Sequence, residues 1–388
     1  MNRKFILLIE LVSFCVIAAL LTISPLRPGA RPAPGESAPS PEAPIKLATR
    51  KAAVRAEGEV TRYDEAKASD GFTLFPVSGT SEILLLDMSG TVLHSWQLDA
   101  ERARLLPNGN LLVIHGSKWG KDHEPWRSLR DTIREYDWDG KVVWEYKASD
   151  VAHHDLHRLA NGNTLFLRRS ILPSDYKKRL NDQSARTLDI RADSVIEVDP
   201  TGMIVWQWHT YEHLDLNDCG RRPCRPKNNV PEATDKPRDW THTNTASPIP
   251  PNKWFDQGDQ RFKPGNLLVL PRNWWTVFLV ARDSGEIVWE YGGDYRGGIS
   301  GGHEAHMIEK GLPGEGNILV LDNGAVVHRG HSFILEINPI TLKLEWIYDV
   351  GEKFWTGTRG SVQRLPNGNT LISEDNTGRA FEVTNDKQ

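Results

Sequence analysis

With 388 residues the chain has room for one large domain or two ordinary ones, so length decides little. Its net charge of −4 comes from well-mixed acids and bases, which excludes the basic stripe or patch that a nucleic-acid surface needs. The 14 Trp against 8 Tyr are a high tryptophan share, and they recur in one motif.

Residues Phe5 to Ile23 are almost wholly apolar and follow Arg3 and Lys4, the pattern of a Sec-type targeting segment. The run is about long enough to span a bilayer, and no small-x-small cleavage site follows it. Residues 1–24 therefore read as an uncleaved hydrophobic helix anchoring the chain in the inner membrane, with the C-terminal bulk in the periplasm. A cleaved signal peptide is the alternative, and Glu10 is a costly residue for a bilayer-buried helix. Residues 25–70 form a Pro/Ala-rich linker, stiff and extended, ending in a short charged helix over Lys46 to Lys67. The folded domain spans 71–388.

Cys15 lies in the leader, so Cys219 and Cys224 are the cysteines of the folded part. In an oxidising compartment they read as a small loop-closing disulfide. Their rival reading, a zinc site completed by His209 and His213, is disfavoured by export.

One unit recurs five times. An apolar strand runs into a turn and then a second strand ending in Trp. Asp87 pairs in this way with Trp96, Asp137 with Trp144, Asp199 with Trp206, Asp283 with Trp289 and Asn338 with Trp346. A third strand, an Asn-Gly-Asn turn and a fourth apolar strand follow, as in NGNLLVI from Asn108, NGNTLFL from Asn161 and NGNTLIS from Asn367. Such pairs between short β-branched runs are hairpin signals. Four antiparallel strands repeated at this spacing predict an all-β fold, a six-bladed β-propeller. Gly71-FTLF and Arg379-AFEV are expected to complete the sixth blade together, from the two ends of the chain. The repeated Trp are expected to pack between blades.

Aligned on the third strand, the repeats place His154, His242 and His303 in one register, with Glu101 and Gly360 in the remaining slots. Equivalent positions in a propeller share a radius and a height, so the three imidazoles should face one another across the channel, as a functional cluster. Arg272 follows the fourth strand of one repeat and Arg169 holds the matching place in another. A planar guanidinium beside neutral imidazoles suits a tetrahedral oxyanion. Neutral imidazole is a good nucleophile; binding a metal is the alternative for three histidines. No Gly-x-Ser-x-Gly element supports a serine hydrolase, and no Walker-type loop supports a nucleotide donor.

The segments HHDLHRLANGNTL from His153, DWTHTN from Asp239, HEAHMI from His303 and LDNG from Leu321 resemble the bacterial arylsulfate sulfotransferase family, from about Gly71 to the C-terminus. The resemblance implies a periplasmic propeller that moves a sulfuryl group from an aryl sulfate to a phenolic acceptor, without cofactor or metal, through a sulfated histidine. It implies His303 as nucleophile, His154 and His242 as supporting histidines, Asn244 as a polar partner and Arg272 as the sulfate-binding arginine. His306 is a rival nucleophile or, like Arg169, a substrate contact. The family carries a short-loop disulfide for which Cys219 and Cys224 are candidates. A homodimer is compatible with the sequence. Two rival functions stay open: a non-catalytic envelope propeller holding a protein or glycan, and a metal- or quinone-dependent enzyme.

Overall fold

The computed structural model describes residues 16–17, 60–222, 238–325 and 330–388. The predicted hydrophobic helix and the linker lie outside these residues, apart from Val16–Ile17, a two-residue strand paired with Phe72–Pro76. Among the described residues no helix is long and apolar enough to cross a membrane.

Six small antiparallel sheets follow one another along the chain and form a six-bladed β-propeller. Blade 1 holds Phe72–Pro76, Ile83–Leu86 and Val92–Trp96, with Val16–Ile17 on its inner side. Blade 2 holds Arg102–Leu105, Leu111–Ile114, Thr132–Tyr136 and Val142–Lys147. Blade 3 holds Ala152–Arg158, Thr164–Ile171, Ile190–Val198 and Ile204–His209, and the short strand Arg238–Asp239 runs parallel to the third of these. Blade 4 holds Thr243–Pro248, Leu267–Pro271, Val277–Val280 and Ile287–Tyr291. Blade 5 holds Glu304–Met307, Ile318–Asp322, Phe333–Ile337 and Leu344–Tyr348. Blade 6 has three strands, Val362–Arg364, Thr370–Glu374 and Arg379–Val383.

This phase corrects one expectation. The first two strands of each sequence repeat close one sheet and the last two open the next, so the terminal half-repeats fall in different blades. Phe72–Pro76 builds blade 1 and Arg379–Val383 builds blade 6; they share no sheet. Closure runs through hydrogen bonds instead. Asn367 and Asn369 donate to the Lys67 carbonyl (3.0 and 2.7 Å), and the Ser69 N–H donates to Glu382 (3.0 Å).

The turns explain the motif. In the Asp-x-x-Gly turns the aspartate side chain accepts from backbone N–H groups two and four residues on: Asp137 from Asp139 (3.1 Å) and Lys141 (2.8 Å), Asp199 from Thr201 (2.8 Å) and Met203 (3.0 Å). Gly140 and Gly202 sit at φ +82° and +87°, a region costly for other residues. The repeated tryptophans lie between blades, as expected, and also donate across them. The indole N–H of Trp144 reaches the Pro200 carbonyl, that of Trp206 reaches Arg282, that of Trp289 reaches Pro339 and that of Trp346 reaches Asn385, all at 2.8–3.0 Å. The outer hairpins of blades 3 to 6 are thereby each pinned by the preceding blade, while the Trp96 indole N–H has no partner among the described residues.

Of the two cysteines expected to pair, Cys219 is described and Cys224 lies outside the described residues. His209 and His213 go to separate places: His209 Nδ1 stands 2.6 Å from Ser194 Oγ, and the His213 ring stacks on Trp208.

Candidate active site

Inner strands carry the site because they are sewn to one another. The Arg104 Nε donates to the Leu156 carbonyl (2.6 Å), joining blades 2 and 3, and the Ala246 N–H donates to Asp155 (3.1 Å), joining 3 and 4. Blades 4 and 5 meet where Asn244 Nδ2 donates to the Gly302 carbonyl (2.9 Å) and Thr245 Oγ1 to that of His303 (3.0 Å). These bonds fix the residues on either side of the axis relative to one another.

The three aligned histidines do meet. The His154 ring centroid is 5.3 Å from that of His242 and 6.1 Å from that of His303. All three line a cavity of 1490 Å³, together with Glu101, Arg169, Asn244, Arg272 and Arg359. Two of them sit on strained backbone: His154 has φ +59° and His242 φ +49°. Left-handed non-glycine residues cost on the order of 1–3 kcal/mol and cluster where function over-determines them. A register shift accompanies the first: Leu156 pairs with Phe166 and His153 with Leu167, leaving His154 and Asp155 as the extra residues of a bulge. His303 reaches the cluster differently, after Gly301 and Gly302. A Cβ on Gly302 would stand 3.0 Å from Leu270 Cδ2 and 3.2 Å from the Leu321 carbonyl oxygen, so any side chain there would crowd both strands.

Each imidazole has its own partner at Nδ1. Asn323 Oδ1 stands 2.7 Å from His303 Nδ1, and Asn323 Nδ2 donates to the carbonyls of Thr356 (2.5 Å) and Arg359 (2.7 Å). Two carbonyls at Nδ2 settle which end of the amide is which. Oδ1 is therefore the end facing His303, Nδ1 carries the hydrogen, and Nε2 keeps its lone pair. Burial, with Arg272 and His242 nearby, pushes His303 down to about 3 against the opposing pull of Asn323, so the imidazole is neutral at pH 7. His242 Nδ1 bonds the Asp239 carboxylate instead. Despite its burial Asp239 is held below the usual carboxylate range, by His242. His154 Nδ1 stands 2.8 Å from His153 Nδ1 and 3.3 Å from Glu101 Oε1. Burial, then the neighbouring histidines and Arg169, push His154 well below its ordinary value. Burial also pushes the Glu101 carboxyl up.

Arg272 is mostly buried, which lowers its pKa, and its Nε has no hydrogen-bond partner among the described residues. An ion-pair partner for it is likewise absent among the described residues. The Asp239 carboxylate pulls against that lowering without an ion-pair contact, so the cation's desolvation is only partly offset and it stands where an anion would satisfy it. Asn244 Oδ1 has no donor among the described residues. Arg169 lines the same cavity.

The remaining candidate goes elsewhere. His306 is buried on the Glu304–Met307 strand, 3.7 Å from Glu304 and pushed down to about 3 by burial and by Arg104 and Arg102; it does not line the cavity. Asp155 supports the strands, accepting from Arg104 (2.8 Å) and Leu156 N–H (3.0 Å). Sequence reasoning missed Asn323 and Asp239 as partners, although both stand in the motifs LDNG and DWTH. It noted Glu101 only as the slot-mate of the histidines.

Fold and site together define a β-propeller whose axial cavity brings three imidazoles together with a mostly buried guanidinium. Residues 131–388 match the arylsulfotransferase (ASST) family, and the chain belongs to that family. The match starts at blade 2's third strand, so blade 1 and Glu101 precede it. No curated protein matches. Among solved structures the chain is similar to a Bacteroides caccae protein of unknown function (12% identity, 82% of this chain and 92% of that one, TM-score 0.48). It is also similar to Kuenenia stuttgartiensis hydrazine synthase (11%, 82% and 81%, 0.42) and to BamB from Moraxella catarrhalis (11%, 82% and 71%, 0.31). Family membership supports aryl sulfotransferase activity in general.

Proposed function

We propose that the protein moves a sulfuryl group from an aryl sulfate to a phenolic acceptor, without a nucleotide, through a sulfated His303. The observation that carries the reading is the tautomer of His303: a neutral ring whose Nδ1–H is spent on Asn323, so that Nε2 is free to attack. In the first half-reaction Nε2 forms a bond to sulfur while the S–O bond to the aryl oxygen breaks, and the phenolate departs with that electron pair. A phenol pKa near 10 makes it a tolerable leaving group. Positive charge then develops at Nδ1–H, where Asn323 Oδ1 accepts it. Negative charge on the sulfuryl oxygens falls to Arg272, the electrostatic contribution that usually dominates such catalysis. In the second half-reaction a phenol gives its proton to a neighbouring imidazole, its oxygen takes the sulfuryl group, and His303 returns neutral.

The Nδ1 partners divide the labour. A carboxylate behind an imidazole, as Asp239 stands behind His242, suits a group that must gain and lose a proton; a neutral amide, as behind His303, suits one that must stay unprotonated to attack. Export to the periplasm with anchoring by residues 5–23, and a Cys219–Cys224 loop disulfide, belong to the same proposal. The test uses p-nitrophenyl sulfate and phenol: the wild type releases nitrophenolate in proportion to acceptor, and its quenched complex yields a peptide containing His303 heavier by one sulfuryl group. His303→Ala is expected to fold and to lose both. Near-normal transfer in that variant would end the proposal.

A further inference from the structure

Two further cations line the cavity from blades 2 and 3, and the chemistry above uses neither. Arg130 ends the loop between Leu111–Ile114 and Thr132–Tyr136, at the end of blade 2 where the Glu101 N–H donates to the Ile114 carbonyl (2.8 Å). Its stem lies over Gly116, where a Cβ would stand 2.3 Å from Arg130 Cγ, and its Nε is buried with no hydrogen-bond partner among the described residues. Arg169 comes from the Thr164–Ile171 strand of the next blade. Its N–H donates to the Val151 carbonyl (3.0 Å), and Val151 also adjoins Arg130. The Arg169 guanidinium makes no hydrogen bond or ion pair with a described residue; Glu101 acts on it from beyond contact distance.

Nearby acids offset these charges only in part. Asp131 and Asp150 adjoin Arg130 in a small cleft without an ion-pair contact, and Asp131 is shared with Lys147 (3.6 Å). Glu101 is engaged by His154, whose Nδ1 is 3.3 Å away. Lys118, exposed on the same loop, adds a further positive charge to the cavity wall, while Lys121 is taken by Asp122. Placement relative to the reacting atoms follows from the histidines. The charge of Arg272 is felt at His303 and that of Arg169 at His154, and those two rings are 6.1 Å apart, about the span of one substituted benzene ring. A sulfuryl group held at His303 and Arg272 therefore leaves the far end of its aryl ring towards Arg169 and Arg130. Both half-reactions use that ring position, since the phenol that leaves and the phenol that enters meet sulfur along the same line. We propose that Arg130 and Arg169 form a second anion subsite, and that the protein prefers phenols and aryl sulfates bearing a carboxylate at the end of the ring away from the reacting oxygen. Guanidinium forks match a planar carboxylate in geometry as well as charge. The proposal rests on the sulfotransferase reading and names the substrate class of that site.

The test compares two acceptors of equal size, 4-hydroxyphenylacetate and its primary amide, with p-nitrophenyl sulfate as donor. Their phenols are alike, so the carboxylate is the variable, and the quantity read is the ratio of kcat/KM, acid over amide. In the wild type it should be about tenfold or more, the contribution of one hydrogen bond to a charged group, and it should shrink as ionic strength rises. Arg169→Gln and Arg130→Gln should each remove most of that factor, because each takes away one of the two charges that face the carboxylate. The proposal is overturned if the wild type does not prefer the acid, or if its preference survives intact in either folded variant. Should Arg130→Gln not fold, Arg169→Gln decides alone. A wild type that releases no nitrophenolate defeats the sulfotransferase reading instead. Calorimetric binding of the two ligands then decides the subsite, tighter binding of the acid upholding it and equal binding overturning it.

Discussion

Replacing Asn323 by Leu removes one acceptor and two donors at nearly constant volume, and the structure says what each is worth. In the resting protein Asn323 Oδ1 takes the His303 Nδ1–H at 2.7 Å. As Nε2 bonds to sulfur that hydrogen becomes cationic, and a hydrogen bond to a charged group contributes about 1.5–3 kcal/mol. At about 1.4 kcal/mol per decade of rate, its loss slows sulfation of the enzyme by about 10- to 150-fold. Losing the tautomer lock adds little, because the neutral imidazole still places its lone pair on Nε2 for part of the time. The same substitution leaves the carbonyls of Thr356 and Arg359 only the long bonds from Ser332 Oγ (3.4 Å) and Thr356 Oγ1 (3.5 Å), so the melting temperature should fall as well. The assay is stopped-flow release of nitrophenolate before steady state, at saturating p-nitrophenyl sulfate. A burst of wild-type rate in Asn323→Leu refutes the reasoning, because it would mean that Nδ1 carries no developing charge.

Arg272→Met should raise the KM for aryl sulfates at least tenfold and abolish inhibition by inorganic sulfate, yet raise the melting temperature, since it deletes a mostly buried cation with no ion-pair contact among the described residues. Acid should destabilise the fold before it protonates His303. Burial pushes His115 and His157 down to about 4 and His306 to about 3, from an ordinary 6.5, and all three are buried. The unfolded chain therefore binds more protons below pH 6.5. Stability is full above that value and falls as pH drops towards 4, by about 1.4 kcal/mol per imidazole per pH unit; urea midpoints from pH 7.5 to 5 that show no such fall contradict this. Trp289→Phe keeps the packing but loses the indole bond to Pro339 (2.9 Å) across blades 4 and 5. It should cost about 1–3 kcal/mol by urea titration and leave transfer unaffected.

The propeller was legible because its signals are local. An aspartate whose carboxylate collects the N–H groups of its own turn, a glycine at positive φ and a Trp closing the next strand lie within ten residues of one another, so each repeat announces itself. What local signals do not carry is phase. The Asn-Gly-Asn and Asp-x-x-Gly turns are both hairpins, and nothing within one repeat says which pair of strands begins a sheet. Hence the half-repeats at the two ends, Phe72–Pro76 and Arg379–Val383, could be read as one blade when they belong to two. The zigzag from sheet to sheet becomes visible only once pairing across about fifty residues is known.

The site divides in the same way. His154, His242 and His303 were found because rotation about an axis turns equal register into proximity, an argument that needs no side-chain geometry. Their Nδ1 partners obey no such rule. His303 uses Asn323 from the neighbouring strand of its own blade, His242 uses Asp239 three residues earlier, and His154 uses the adjacent His153 and Glu101 from the preceding blade. Equal register therefore delivers three like rings, and unlike partners make them unequal. A bulge and two left-handed residues do the rest, swinging His154 and His242 off the strand alternation that would otherwise dictate their direction. The repeat supplies the place for chemistry, and departures from the repeat supply the roles. On that logic His306, which keeps the regular alternation of its strand and stays buried away from the cavity, is a residue of the fold, and its replacement by Asn should leave transfer intact while His303→Ala abolishes it.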